Sequence, residues 1–165
     1  MSTKKYHIGY TQGVFDLFHI GHLNLLNNAK KYCDILIAGV NSDKLVKSYK
    51  NKQPVIGEDE RAEIVRNIKA VDKVFIVDTL DKEQVLSHIK FDAVFIGSDW
   101  KNSERWNKTE NALKKYNVDV VYLDHTDGIS STILREQYIV FGFFCLEVCC
   151  APVVCELLFV SEETE

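Results

Sequence analysis

Five short, nearly continuous apolar runs, separated by segments with helical periodicity, constrain this chain more than any other feature. The runs are Tyr6–Thr11, Ile35–Val40, Val74–Val77, Ala93–Gly97 and Val118–Leu123. Strands that read as unbroken apolar stretches belong in a sheet covered on both faces. The intervening segments predict helices at Leu23–Lys31, Glu58–Lys69, Asp81–Ile89 and Lys108–Tyr116. In the first, Leu25, Leu26 and Ala29 share a face; in the second, Ile64, Val65 and Ile68 form the stripe, with acids at the start and bases at the end to suit the helix dipole. Strict alternation of strand and helix means an α/β chain: a doubly wound, five-stranded parallel sheet with right-handed crossovers and helices on both faces. At 165 residues there is room for one such domain. Lys47–Gly57 is polar with one proline and reads as a loop.

Sheets of this kind bind ligands beyond the carboxyl ends of their strands. After the first strand comes Thr11-Gln-Gly-Val-Phe-Asp-Leu-Phe-His-Ile-Gly-His22. Gly13 permits a tight turn out of the strand. His19 and His22, three apart at a helix start, share a face. With Gly21 leaving backbone room and the first helical turn offering unpaired N–H groups, they make a donor set for phosphate oxygens. Surface or capping histidines are the alternative, and zinc is another, although no third ligand follows in a metal-like spacing. Asp16 reads as structural. The net charge of −4 argues against bulk nucleic-acid binding. The N-terminal residues run into a strand without an apolar signal core, so a cytoplasmic protein is expected. Five cysteines, at 33, 145, 149, 150 and 155, do not suggest a disulfide framework.

Gly13-Val-Phe-Asp-Leu-Phe-His-Ile-Gly-His22 resembles the signature of the HxGH nucleotidyltransferases, and most of all their cytidylyltransferase branch with its glycerol-phosphate enzymes. The resemblance runs from about Tyr6 to Gln137. Glu58-Asp-Glu-Arg61, Ala70-Val-Asp-Lys-Val74 and Gly97-Ser-Asp-Trp100 follow that branch. Thr126-Asp-Gly-Ile-Ser-Ser-Thr132 is similar to its second signature; alone it is also a well-capped helix start, with Gly128 in a left-handed turn and Ser130 as cap. The resemblance implies a Rossmann-like fold and the transfer of CMP from CTP to a small phosphorylated alcohol, with Mg²⁺ accompanying the nucleotide and a homodimer as the assembly. It implies catalytic roles for His19, His22 and Lys52. It implies nucleotide contacts from Val14, Phe15, Gly21, Lys52, His125, Thr126, Asp127, Gly128, Ile129, Ser130, Ser131 and Thr132, and acceptor contacts from Lys50, Asp99 and Trp100. Lys44, Lys47, Lys50 and Lys52 also fit a solvated loop, Lys69 and Arg135 are weaker candidates, and Trp100 also fits an aromatic cover.

The chain departs from the branch in three places. His125 stands where an arginine precedes the second signature, Lys82 and Glu83 offer the lysine expected after the third strand in uncertain register, and the C-terminus differs. These changes leave the acceptor open among glycerol phosphate, phosphocholine, phosphoethanolamine and sugar phosphates. They also leave room for an adenylyltransferase acting on a sugar phosphate or flavin precursor, or for a non-catalytic nucleotide-binding module. The division expected is a nucleotidyltransferase domain over 1–137 and an apolar, cysteine-rich extension over 138–165. Tyr138–Val160 has the length of a membrane span, but Glu147 and Glu156 oppose insertion and the flanks lack clustered bases. A buried or dimer-covering segment is expected ahead of a poorly folded extension, and both ahead of membrane contact.

Overall fold

The computed structural model describes residues 4–136. The chain divides after Ile129 into two units, and of the second the described residues are 130–136. The apolar extension expected over 138–165 therefore lies outside the described residues.

The first unit holds β1 (Tyr6–Gly13), α1 (Ile20–Tyr32), β2 (Cys33–Asn41), α2 (Asp43–Lys50), α3 (Glu58–Arg66) and β3 (Lys73–Val77), then α4 (Lys82–His88), β4 (Ala93–Gly97), α5 (Glu104–Lys114) and β5 (Asp119–Leu123). All strand pairs are parallel, in the order β3-β2-β1-β4-β5. The order reverses at β1, so the crevice at a switch point opens beside the carboxyl ends of β1 and β4.

Two cores flank the sheet. On one face Leu26 and Ala29 of α1 and Ala62 and Val65 of α3 pack with Leu36, Ala38 and Phe95. On the other, Val85 and Leu86 of α4 and Trp106 and Leu113 of α5 pack with Tyr10, Ile37 and Val94. Leu26 and Leu113 are fully buried, each stabilising the fold by about 1.5–3 kcal/mol. The helix starts are fixed by side-chain caps that accept first-turn N–H groups: Ser42 from Leu45, Asp81 from Glu83 and Gln84, and Ser103 from Trp106.

Four expectations are corrected. The segment expected as a loop from Lys47 is helical as far as Lys50. Ser42 caps α2, Val46 is its buried anchor, and left-handed Asn51 ends it. The second stripe is displaced: α3 buries Arg61, Ala62 and Val65, while Ile64 faces solvent. Lys69 lies beyond α3, which ends at Arg66, so it is no helix C-terminal lysine. The edge strand β3 is not covered on both faces, since Phe75 and Ile76 remain exposed.

Candidate functional site

The turn from β1 into α1 is built under backbone strain. Phe15 and Leu17 both take left-handed conformations, with φ of 55° and 46°. Such conformations cost about 1–3 kcal/mol each and persist only where surroundings impose them. Here the Asp16 carboxylate accepts the N–H groups of Val55 and Ile56 at 3.0–3.1 Å. The buried Arg61 guanidinium donates to the carbonyls of Val14, Asn41 and Ile56 and pairs with Asp43. The turn is thus bolted to the 51–57 segment from both sides.

His19 is the N-cap of α1. Its Nδ1 accepts the Gly21 N–H at 3.1 Å, which leaves the proton on Nε2 as a donor. This cap uses one of the helix-start N–H groups expected to face a phosphate. A Cβ at Gly21 would lie 2.9 Å from His19 Cε1, so any larger residue there would push the His19 ring from its capping position. The His22 ring stacks on His19 with centroids 3.9 Å apart, and Phe15 and Phe18 wall it at 5.4 and 5.5 Å. Burial, then the His19 charge, pushes His22 down to about 3; burial, then His125, lowers His19. Both rings are therefore neutral at pH 7 and act as dipolar donors rather than cations. His22 Nδ1 is buried with no hydrogen-bond partner among the described residues.

The loop after β5 meets this helix. Asn24 of α1 donates to the Thr126 hydroxyl at 3.1 Å. His125 lies 3.8 Å from the Asp99 carboxylate, in the single 3₁₀ turn Ser98–Trp100 that follows β4. Gly128 is left-handed, with φ of 80°. In the second unit, Ser130 accepts the Ile133 N–H through its hydroxyl and caps the helical residues 131–136. Ser131, Thr132 and Arg135 lie in that helical stretch.

Beside the histidine turn lies a cleft of about 170 Å³ lined by Gly13, Val14, Lys50, Lys82, Trp100 and Arg105, among others. Its floor is a chain of hydrogen bonds: Tyr10 donates to Gln12, Gln12 to Asn41 and the Thr79 carbonyl, and Asn41 to the Tyr49 hydroxyl. Lys82 is buried, donates to the Leu80 carbonyl and lies 5.8 Å from the Trp106 ring centroid. Burial, then the neighbouring Arg105 charge, pushes its ammonium down to about 7, with Asp81 opposing.

Of the residues expected from sequence, the structure gathers His19, His22 and Gly21 at the start of α1, His125 with Asp99, and Val14, Lys50 and Trp100 at the cleft. Phe15 is a buried wall. Lys52 and Asp127 are exposed, and Lys52 does not line the cleft. Sequence reasoning missed Gln12, Asn41, Tyr49, Arg105 and Trp106. A larger, open groove of about 570 Å³ along α4 and α5 contains none of the expected residues, and its mixed charges face solvent. Among the described residues no three His, Cys, Asp or Glu side chains converge on a metal position. No described helix is long and apolar enough to cross a membrane.

The sequence model of the cytidylyltransferase-like family matches residues 10–137. The bifunctional protein HldE of Koribacter versatilis is 34% identical over 128 residues, 77% of this chain but 26% of that protein. The chain thus spans about a quarter of the HldE relatives it matches. The FAD synthase of Korarchaeum cryptofilum is 34% identical over 137 residues, 81% of this chain and 90% of that protein. In fold, the chain is similar to a lipopolysaccharide core biosynthesis protein from Thermoplasma volcanium, with a TM-score of 0.63 at 24% identity, covering 75% of this chain and 99% of that one.

Proposed function

We propose, because the chain belongs to the cytidylyltransferase-like family, that it moves CMP from CTP onto a small phosphomonoester such as glycerol 3-phosphate and releases pyrophosphate. Membership of the nucleotidyltransferase superfamily follows from the match over residues 10–137 and from the HldE and FAD synthase relatives. The observation that carries nucleotidyl transfer is the stacked His19–His22 pair at the start of α1, with the His19 tautomer set by Gly21, while the choice of CTP rests on the resemblance across both signatures and Gly97–Trp100.

The acceptor phosphate has a second ionisation near 6, roughly, so it arrives as a nucleophile and no strong base is required. Its oxygen attacks the α-phosphorus, an oxygen–phosphorus bond forms, and the bond to the β-phosphate oxygen breaks as pyrophosphate leaves. Catalysis then consists of holding two anions together and stabilising charge as it develops. His19 Nε2–H is the donor to the transferring group, and His22 the donor to the leaving phosphates. Lys50 and Lys52 offset repulsion between the anions. The second signature, Thr126–Thr132, is assigned to the nucleotide. Asp99 and Trp100 are assigned to the acceptor.

Magnesium suits this donor set as an ion carried by the triphosphate, since Mg²⁺ keeps several waters and favours substrate phosphates over an all-protein cage. Asp99, 3.8 Å from His125, would be the carboxylate to hold it. When bound, it neutralises phosphate charge. The proposal includes a homodimer and a reaction in the cytoplasm, where CTP is supplied.

A second reading is favoured by the relatives' names: a synthase of FAD and HldE both match over most of this chain. On that reading ATP is the donor and a sugar phosphate or flavin precursor the acceptor. Pyrophosphate release, measured with CTP and ATP against a panel of phosphomonoesters, separates the two. Preference for CTP with glycerol 3-phosphate supports the first; ATP used about ten times better than CTP replaces it with the second.

A further inference from the structure

Three basic side chains line the cleft beside the histidine turn, Lys50, Lys82 and Arg105, and none of its lining residues is acidic among those described. From this we infer that the acceptor's head group is uncharged and hydroxyl-bearing, and that Arg105 of α5 excludes acceptors with a cationic head. The inference rests on the proposed transfer to a phosphomonoester and narrows its substrate class.

The cations crowd one another in the cleft. Arg105 acts on both Lys82 and Tyr49 by its charge, and among the described residues its guanidinium has no hydrogen bond or ion pair. Of the carboxylates beside the cleft, Asp81 is engaged in capping α4 and faces the neighbouring groove, and Asp99 lies outside the lining, 3.8 Å from His125. An acceptor phosphate relieves this repulsion; a choline or ethanolamine group adds to it.

Aromatic lining would ordinarily argue the other way, because rings attract quaternary ammonium groups. Here two of the three ring systems already face a lysine. Lys50 lies 5.8 Å from the Tyr49 centroid and Lys82 5.8 Å from that of Trp106. For hydroxyls the cleft is better equipped. The Tyr49 oxygen already accepts from Asn41, so its own proton is directed to another acceptor, such as a hydroxyl of the ligand.

The test uses the full chain with saturating CTP and compares glycerol 3-phosphate, phosphocholine and phosphoethanolamine. Wild type should favour glycerol 3-phosphate by at least about 100-fold in kcat/KM over both amino-alcohol phosphates. Arg105→Glu should reduce that preference to below about tenfold, mainly through KM, with Arg105→Gln between the two; Lys115→Glu, equal in charge change and outside the cleft, should leave it intact. A wild-type preference under about tenfold, or one that Arg105→Glu leaves unchanged in a chain with wild-type circular dichroism, overturns the inference while the proposed function stands. Should no acceptor turn over with CTP or ATP, the proposed function falls, and calorimetry on the free protein decides the inference. Tighter binding of glycerol 3-phosphate than phosphocholine supports it; equal or weaker binding overturns it.

Discussion

Asp16 and Arg61 grip the same residue through its two flanking peptides: the carboxylate accepts the Ile56 N–H at 3.0 Å while the guanidinium donates to the Ile56 carbonyl at 2.9 Å. Both are buried, and Arg61 also holds the Val14 carbonyl at the strained turn. Removing Arg61 strands three carbonyls and the Asp43 carboxylate. Arg61→Met should therefore cost about 3–5 kcal/mol of stability. Asp16→Asn keeps the shape but weakens two charge-assisted bonds and should cost less, about 1–3 kcal/mol. Urea denaturation of both variants checks the ranking; a wild-type midpoint for Arg61→Met would show that the turn does not depend on this clamp.

His19→Ala and His22→Ala should each lower kcat by about 10²-fold or more, with a modest change in CTP affinity, because the pair faces charge that develops in the transition state. His19→Asn is informative in a different way: it can still cap α1 through its side-chain oxygen, so it should restore stability without restoring turnover. Steady-state kinetics beside thermal melts separates capping from chemistry. Near wild-type turnover in both alanine variants would remove the histidines from the mechanism.

The strands and the histidine turn were legible because their physics is local. Continuous apolar runs have few uses other than buried parallel strands, and Gly21 between two histidines marks a helix start. The clamp beneath was not legible. Arg61 reads only as part of Glu58-Asp-Glu-Arg61, and only the folded carbonyls of Val14, Asn41 and Ile56 show why it is buried. Lys82 reads, with Glu83, as an offer of the lysine expected after the third strand, but its burial appears only when Trp106 and Arg105, distant in sequence, close around it. The helix α2 was missed because its last residues, from Lys47 to Lys50, belong by composition to a polar loop. Ser42 and Val46 were its only signals. Gln12 and Asn41 lie at strand ends with no motif to mark them, and their role appears only when β1 and β2 pair.

Acid should weaken the fold through His22. Its folded value is about 3 against an ordinary 6.5, so between these limits the unfolded chain holds the extra proton. The stability that this contributes is complete above pH 6.5 and is lost as pH falls toward 3. The slope is up to about 1.4 kcal/mol per pH unit. His19, also lowered, acts in the same direction, while the lowered carboxylates Asp72 and Asp119 add theirs only below about 3.8. Urea midpoints between pH 7 and 4.5 should therefore fall steeply in wild type and less in His22→Asn. Parallel curves would mean that His22 is not buried neutral.

Lys82 makes the opposite limb of the pH profile a matter of acceptor binding. Its ammonium, at about 7 against an ordinary 10.5, is held down first by burial and then by Arg105, with Asp81 raising it. As pH rises above 7 the free protein loses this cation, while the acceptor phosphate stays dianionic. KM for the acceptor should then rise, by up to about tenfold per pH unit, with KM for CTP nearly flat. Lys82→Met should raise the acceptor KM at pH 7 and abolish the slope. Stability supplies a readout free of activity. Between pH 7 and 10.5 the unfolded chain binds the proton that the folded one gives up, so Lys82 costs least stability at high pH and most at 7 or below. Wild type should gain stability over that range and Lys82→Met should not. An acceptor KM that rises equally in both proteins would place the titrating group elsewhere.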